Sequence, residues 1–174
     1  RLLLTSFMDR RWPGARTSGT ARTRLIDDYL KQAFAEGFGQ VVILGAGYDC
    51  RAYRTKGIER AKVFEADHPD TLARKKEIIR KTLGGLPAHV TYAPIDFLSQ
   101  SLSEVLRESS FNSATKSFFI WEGVTNYLTA EAVDTTLKCF REMAAPDSRM
   151  VFTYIHRGVL DGTARFHGLG ATKK

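Results

Sequence analysis

Past the first twenty or so residues, the spacing of apolar positions switches repeatedly between a helical and an extended period. Leu25, Ile26, Tyr29, Leu30, Ala33 and Phe34 recur at helical spacing, which gathers them on one helix face. Gly37 stops that helix, at a position where a positive φ is wanted. Val41 to Leu44 is a short β-branched run bounded by glycines, the pattern of a strand buried on both faces. Lys62 to Ala66 reads as a second strand. It leads through His68-Pro69 into a helix with Leu72, Ile78, Ile79 and Leu83 inside. Arg74, Lys75, Lys76, Arg80 and Lys81 are placed mostly outside, and Gly84-Gly85 ends the helix. His89 to Ile95 is a third strand, and a short helix follows around Leu102, Val105 and Leu106. Ser117 to Trp121 is a fourth strand. Thr129 is placed to cap the next helix, whose inner face is Val133, Leu137, Phe140 and Ala144. Met150 to Ile155 is the fifth strand.

Strands alternating with helices imply βαβ units and a mainly parallel sheet, an α/β fold. Right-handed crossovers then put helices on both faces. In such folds ligands bind beyond the carboxyl ends of the strands, where strand order reverses. The residues just after each strand are therefore the candidates for function.

Composition narrows the picture without changing it. The 174 residues are 43% hydrophobic and 26% charged, which suits one globular domain and excludes a disordered tail. No apolar run approaches the ~18 residues of a membrane span. Cys50 and Cys139 cannot build a disulfide framework, so a reducing, cytoplasmic setting is expected. They read as packing residues rather than nucleophiles, since no His-Asp arrangement accompanies them. The net charge is +7, with +5 over residues 1–24, +3 over 157–174 and −1 between. A nucleic-acid-binding domain concentrates its charge on the folded face, so no nucleic-acid partner is expected, although basic ends can act as arms. The chain begins with Arg1 rather than Met, which suggests a fragment or processed form, and RLLLTSF is too short for a complete signal peptide. Residues 1–19 read as a basic N-terminal segment and 20–174 as the folded domain.

Four strand ends are chemically unusual. Gly45-Ala46-Gly47 follows the first strand; two glycines allow a tight turn and close approach of a ligand, or simply an ordinary turn. It is not a full dinucleotide fingerprint, because Cys50 stands where the third glycine belongs. Glu65-Ala66-Asp67 ends the second strand about twenty residues on, an offset at which an acid can accept hydrogen bonds from ribose hydroxyls. The alternative is a solvated acid at a strand end. Asp96, between Ile95 and Phe97, can accept from an adenine amine while Phe97 covers the ring, or can favour a helix N-terminus. Glu122, after Phe-Phe-Ile-Trp, must leave the core; it can hold a cationic group or pair with an arginine.

Taken together, these segments resemble the leucine carboxyl methyltransferase-like family of S-adenosylmethionine-dependent methyltransferases. The similar stretches are Ala21 to Asp28, Val41 to Arg54, Glu65 to Pro69 with Lys75, Pro94 to Phe97, and Trp121 to Leu128. They occur in the family's order, and the stretch from Val41 to Arg54 is most similar to the bacterial branch. The resemblance implies a Rossmann-like, three-layer methyltransferase fold of about seven strands, with S-adenosyl-L-methionine as cofactor and no metal. It matches Arg22 to the holder of the cofactor's carboxylate, and Gly45 and Gly47 to the loop under the methionine part. Asp67, with Glu65 nearby, matches the ribose acid. Asp96 and Phe97 match the adenine contacts, and Glu122 the acid on the methionine amino group. By the same likeness the last two strands and the substrate lid are expected to be missing from this chain.

The expected reaction is methyl transfer to a carboxylate or hydroxyl oxygen of a small molecule or a protein C-terminus. Tyr127 is the candidate for orienting the acceptor, and His156 the best visible base should the acceptor be a hydroxyl. Two other classes stay open: an NAD-dependent oxidoreductase on the same architecture, and a non-catalytic nucleotide-binding scaffold.

Overall fold

A computed structural model describes residues 15–163. The chain begins there with helix α1 (Ala15–Ala35). It continues through β1 (Gln40–Leu44), α2 (Arg51–Arg54), β2 (Lys62–Asp67), α3 (Pro69–Leu83) and β3 (Val90–Pro94). Then come α4 (Leu102–Glu108), β4 (Ser117–Trp121), α5 (Ala130–Met143), β5 (Arg149–Phe152) and α6 (Arg157–Leu160). Single 3₁₀ turns lie at Ile58–Arg60 and Thr125–Tyr127. Two compact units are present. Leu30 to Thr153 carries the sheet; the described residues up to Tyr29 and from Tyr154 on form the other.

The five strands run parallel in the order β3-β2-β1-β4-β5. The chain steps outward from β1 to β3 and then returns to the other side of β1, so strand order reverses between β1 and β4. Side chains alternate between the two faces of each strand. Val42, Leu44, Phe64, Ala66, Ala93, Phe119 and Trp121 face α4 and α5 in one core layer. There Phe64, Phe111, Phe119 and Phe140 stack edge to face, at centroid separations of 5.5, 5.9 and 5.0 Å, the arrangement favoured by the ring quadrupole.

The helix boundaries follow local chemistry. Gly37 at φ +81° ends α1, with Phe38 N donating back to Ala33 O. Gly84 at φ +76° ends α3 in the same way. The Thr129 hydroxyl accepts from Ala132 N and caps α5, as the sequence predicts.

Three details differ from the expectations drawn from sequence. Leu25 and Tyr29 are exposed on α1, and the buried stripe is Ile26, Leu30 and Ala33. Strand β5 stops at Phe152; Thr153 N still donates to Trp121 O, while its hydroxyl and carbonyl accept from the loop after β4. On α3, Lys75 is 3% exposed while Leu83 is 52% and Ile78 43% exposed. The inner stripe of α3 runs Leu72, Lys75, Ile79, and a buried acid on β2, described below, makes room for the lysine. Most of the basic N-terminal segment and the C-terminal residues past 163 lie outside the described residues.

Candidate functional site at the strand carboxyl ends

The glycine loop is pinned to the sheet. Gly45 N and Ala46 N both donate to Ala66 O, at 2.8 and 3.1 Å. Gly45 sits at φ +64°, and a Cβ there would stand 2.3 Å from Val124 Cγ2. The loop after β4 thus takes the space that a side chain would need, so protein packing already demands this glycine. Gly47, at φ +40°, has nothing nearer than 3.8 Å to an added Cβ; its strain is conformational only. Its N–H donates to Asp67 Oδ2, and His68 N donates to Asp67 Oδ1. Asp67 is thereby aimed over the glycine loop. A carboxylate offers about four acceptor sites, so hydroxyls can still be bound.

Glu65 has a different fate. It is 0% exposed and lies two residues deeper in β2, in register with Ile43 and Tyr92. Lys75 Nζ reaches its Oε1 at 2.8 Å, and the Tyr53 hydroxyl donates to its Oε2 at 2.7 Å. Tyr53 and Tyr92 share a further hydrogen bond at 3.1 Å. Burial pushes the Glu65 carboxyl up from its ordinary range while Lys75 and Tyr53 oppose it. Burial also raises the Tyr53 phenol, aided by the hydrogen bond to Tyr92 and the charge of Glu65. With no accessible surface, Glu65 cannot touch a ligand beyond the strand ends, and it leaves the set of expected ribose contacts.

Arg51, buried on α2, joins the loops on either side of the strand-order reversal. Its Nη1 donates to Glu122 Oε2 at 2.8 Å and also to Asp49 Oδ2. Asp49 Oδ1 accepts from Arg51 N at 2.7 Å, which starts the short helix. Glu122 is therefore paired with an arginine in this structure. Sequence reasoning gives Arg51 no role; the Asp-x-Arg spacing after the glycines is its only signal. Lys75 escapes for a different reason, since polarity alone assigns a lysine to the outer face.

Asp96 closes a local turn. Its Oδ1 accepts from Leu98 N at 2.9 Å and its Oδ2 from Ser99 Oγ at 2.8 Å. Those bonds hold its carboxyl below the usual range. Phe97 packs partly on the α4–α5 core and lines a groove of about 530 Å³ with Leu98, Thr129 and Cys139. Tyr127 is 81% exposed in the turn after β4. Arg22, on α1, and His156 both belong to the other unit. His156 caps α6, its Nδ1 accepting from Gly158 N at 3.0 Å.

Around the glycine loop, Asp49 and Glu122 both bond Arg51, and Asp67 accepts from the Gly47 N–H. That grouping of carboxylates suits hydroxyls and a cation. It opposes a pyrophosphate, which wants free N–H groups and a helix N-terminus. Here the Gly47 N–H is already taken by Asp67, and the following helix has four residues.

Known proteins resemble this chain in sequence and in fold. In Frankia alni, a protein named "Putative S-adenosyl-L-methionine-dependent methyltransferase" is 34% identical over 159 residues, covering 91% of this chain and 54% of its own length. A Streptomyces coelicolor protein of like name is 34% identical over 140 residues, covering 80% of this chain and 49% of its own length. The chain thus spans about half the length of these relatives. Among solved structures, a Thermobifida fusca protein described as a "putative methyltransferase" superposes with a TM-score of 0.61 at 16% identity, over 86% of this chain and 57% of its own. That likeness shows the Rossmann-like methyltransferase fold. A family model described as leucine carboxyl methyltransferase matches residues 4–141, most of the chain; the chain belongs to the leucine carboxyl methyltransferase family.

Proposed function

We propose that this chain carries the cofactor-binding half of an S-adenosyl-L-methionine-dependent O-methyltransferase whose acceptor is a carboxylate. The observation that carries the reading is the group of carboxylates at the strand-order reversal, with Asp67 oriented by the Gly47 N–H. The names of the family's relatives supply the cofactor class.

When bound, S-adenosyl-L-methionine supplies a methyl group already activated by the positive charge on sulfur. Asp67 accepts from the ribose hydroxyls, and Gly47 leaves room for the chain of the ligand to lie against the backbone. Glu122 receives the methionine ammonium while the bond from Arg51 aims its carboxylate. Arg22 is assigned to the cofactor's carboxylate by the family resemblance alone. Phe97 borders the adenine, while the Asp96 carboxylate shapes the loop beneath it.

A carboxylate acceptor is ionised at neutral pH, with an ordinary pKa of about 4, and needs no general base. Holding its oxygen in line with the methyl and sulfur then accounts for the rate. The described histidines support this choice. His68 and His156 cap helices, and His89 bonds Ala52 O. Tyr127, exposed beside the β4 loop, has room to reorient toward an acceptor. The test is a methyl-transfer assay with labelled cofactor against panels of carboxylic acids and phenols. Transfer to carboxylic acids, at a single-turnover rate nearly flat from about pH 6.5 to 9, is the expected result. A rate rising tenfold per pH unit and restricted to phenols would overturn it.

A further inference from the structure

The buried Glu65–Lys75 pair lies under the glycine loop, and one of its bonds leaves the pair. Besides Glu65, Lys75 Nζ donates to Ala46 O at 3.3 Å. The carbonyl of Ala46 and the N–H of Gly47 belong to the same peptide group, which is planar. Lys75 and Asp49 N therefore hold one end of that plane, and Asp67 Oδ2 holds the other. If the carbonyl rotates, the N–H must rotate with it, and Asp67 loses the donor that orients it. The same carbonyl also accepts from Asp49 N at 2.8 Å, so the turn and Lys75 hold it jointly, between two glycines of positive φ that leave the backbone itself permissive.

The remaining contacts of Lys75 keep its ammonium in place. It lies 5.6 Å from the centroid of the Tyr53 ring, whose hydroxyl holds the second oxygen of Glu65. Glu65 is fixed by the strand, Lys75 by α3 and Tyr53 by α2. The three elements converge on one carbonyl oxygen of the loop. A buried ion pair is often replaceable by apolar residues without loss of stability, so stability alone gives this pair no reason to be charged. The bond to Ala46 does.

We infer that Lys75 is a positioning residue for the cofactor site: gripping the Ala46 carbonyl together with Asp49 N, it helps fix the Ala46–Gly47 peptide plane, and through the Gly47 N–H it orients the Asp67 carboxylate toward the ribose. This inference rests on the proposed cofactor site, but its first readout does not. In isotopically labelled protein, the Gly47 amide reports the hydrogen bond to Asp67 through its downfield proton shift and its slow exchange with solvent.

Two variants separate positioning from stability. Glu65→Leu/Lys75→Met removes both charges and leaves the Tyr53–Tyr92 bond intact. It is expected to melt near the parent, to exchange the Gly47 amide at least tenfold faster, and to bind S-adenosylhomocysteine at least tenfold more weakly. Glu65→Gln keeps the lysine amine on Ala46 O; it is expected to lose stability while retaining the parent's Gly47 amide shift. Should the double variant fold poorly, Glu65→Gln alone decides. A double variant with the parent's Gly47 signal and affinity overturns the inference, and so does a Glu65→Gln protein that has lost that signal. If the parent itself does not bind S-adenosylhomocysteine, the cofactor reading fails, while the amide readout still judges the Lys75 lever.

Discussion

At the scale of single residues, Asp67 and Gly45 make separable demands. Asp67→Ala removes the acceptor of the Gly47 and His68 amides and the proposed ribose contacts. Calorimetric titration with S-adenosylhomocysteine is expected to show a loss of about 1.5–3 kcal/mol, the range for hydrogen bonds to a charged group. An unchanged affinity would remove Asp67 from the site. Gly45→Ala puts a Cβ 2.3 Å from Val124 Cγ2 at φ +64°. Denaturant unfolding is expected to show about 2–4 kcal/mol of destabilisation from backbone strain and overpacking. Val124→Ala added to it should recover roughly half, because only the clash is relieved. The sequence singles out both acids of Glu65-Ala66-Asp67 but does not separate them. Residues two apart share a sheet face, and what distinguishes them is depth: Glu65 lies within the paired strand, and Asp67 ends it. Their partners lie at Lys75 and Gly47, and no local pattern announces either pairing.

At the scale of elements, the loops after β1 and β4 are tied by the Arg51–Glu122 ion pair and by the contact of Gly45 with Val124. Arg51→Met leaves Asp49 and Glu122 without that guanidinium. Breaking a buried pair from one side costs about 3–5 kcal/mol, and urea unfolding is expected to show a loss of that size. The loop after β3 is held by Asp96, whose folded-state pKa lies below its ordinary value through bonds from Leu98 and Ser99. A carboxylate of lowered pKa stabilises the fold above its unfolded pKa and loses that contribution as pH falls through the folded value. The difference in melting temperature between the parent and Asp96→Asn should therefore be constant near neutrality and shrink below about pH 4. Strand positions are legible in the sequence as short β-branched and aromatic runs between turn residues. The helix face is legible for α5, where Val133, Leu137 and Phe140 pack on the core. It is not for α3, because a lysine whose charge is met by a buried glutamate looks from sequence like any surface lysine. The short α2, with Arg51 inside it, has too few residues to show a period.

At the scale of the whole molecule, alternating strands and helices suffice for a parallel α/β sheet, and the glycine and acid segments for its ligand-binding edge. The order β3-β2-β1-β4-β5 comes only with the structure, since crossover rules fix handedness but not which side of β1 receives β4. That order brings the loop after β4, with Glu122, beside the loop after β1, with Arg51, where the two pair. The central chemical property there is a group of carboxylates around a loop whose Gly47 N–H is spent internally. Such a site should take the nucleoside of a hydroxylated cation and refuse a pyrophosphate. Thermal unfolding in the presence of S-adenosylhomocysteine and, separately, NADH compares the two directly. A ligand held only by the native state stabilises it by about 2.7 kcal/mol at a hundred times its dissociation constant. A saturable rise in melting temperature is expected with S-adenosylhomocysteine and none with NADH; a rise with NADH and none with S-adenosylhomocysteine would contradict the assignment of the cofactor.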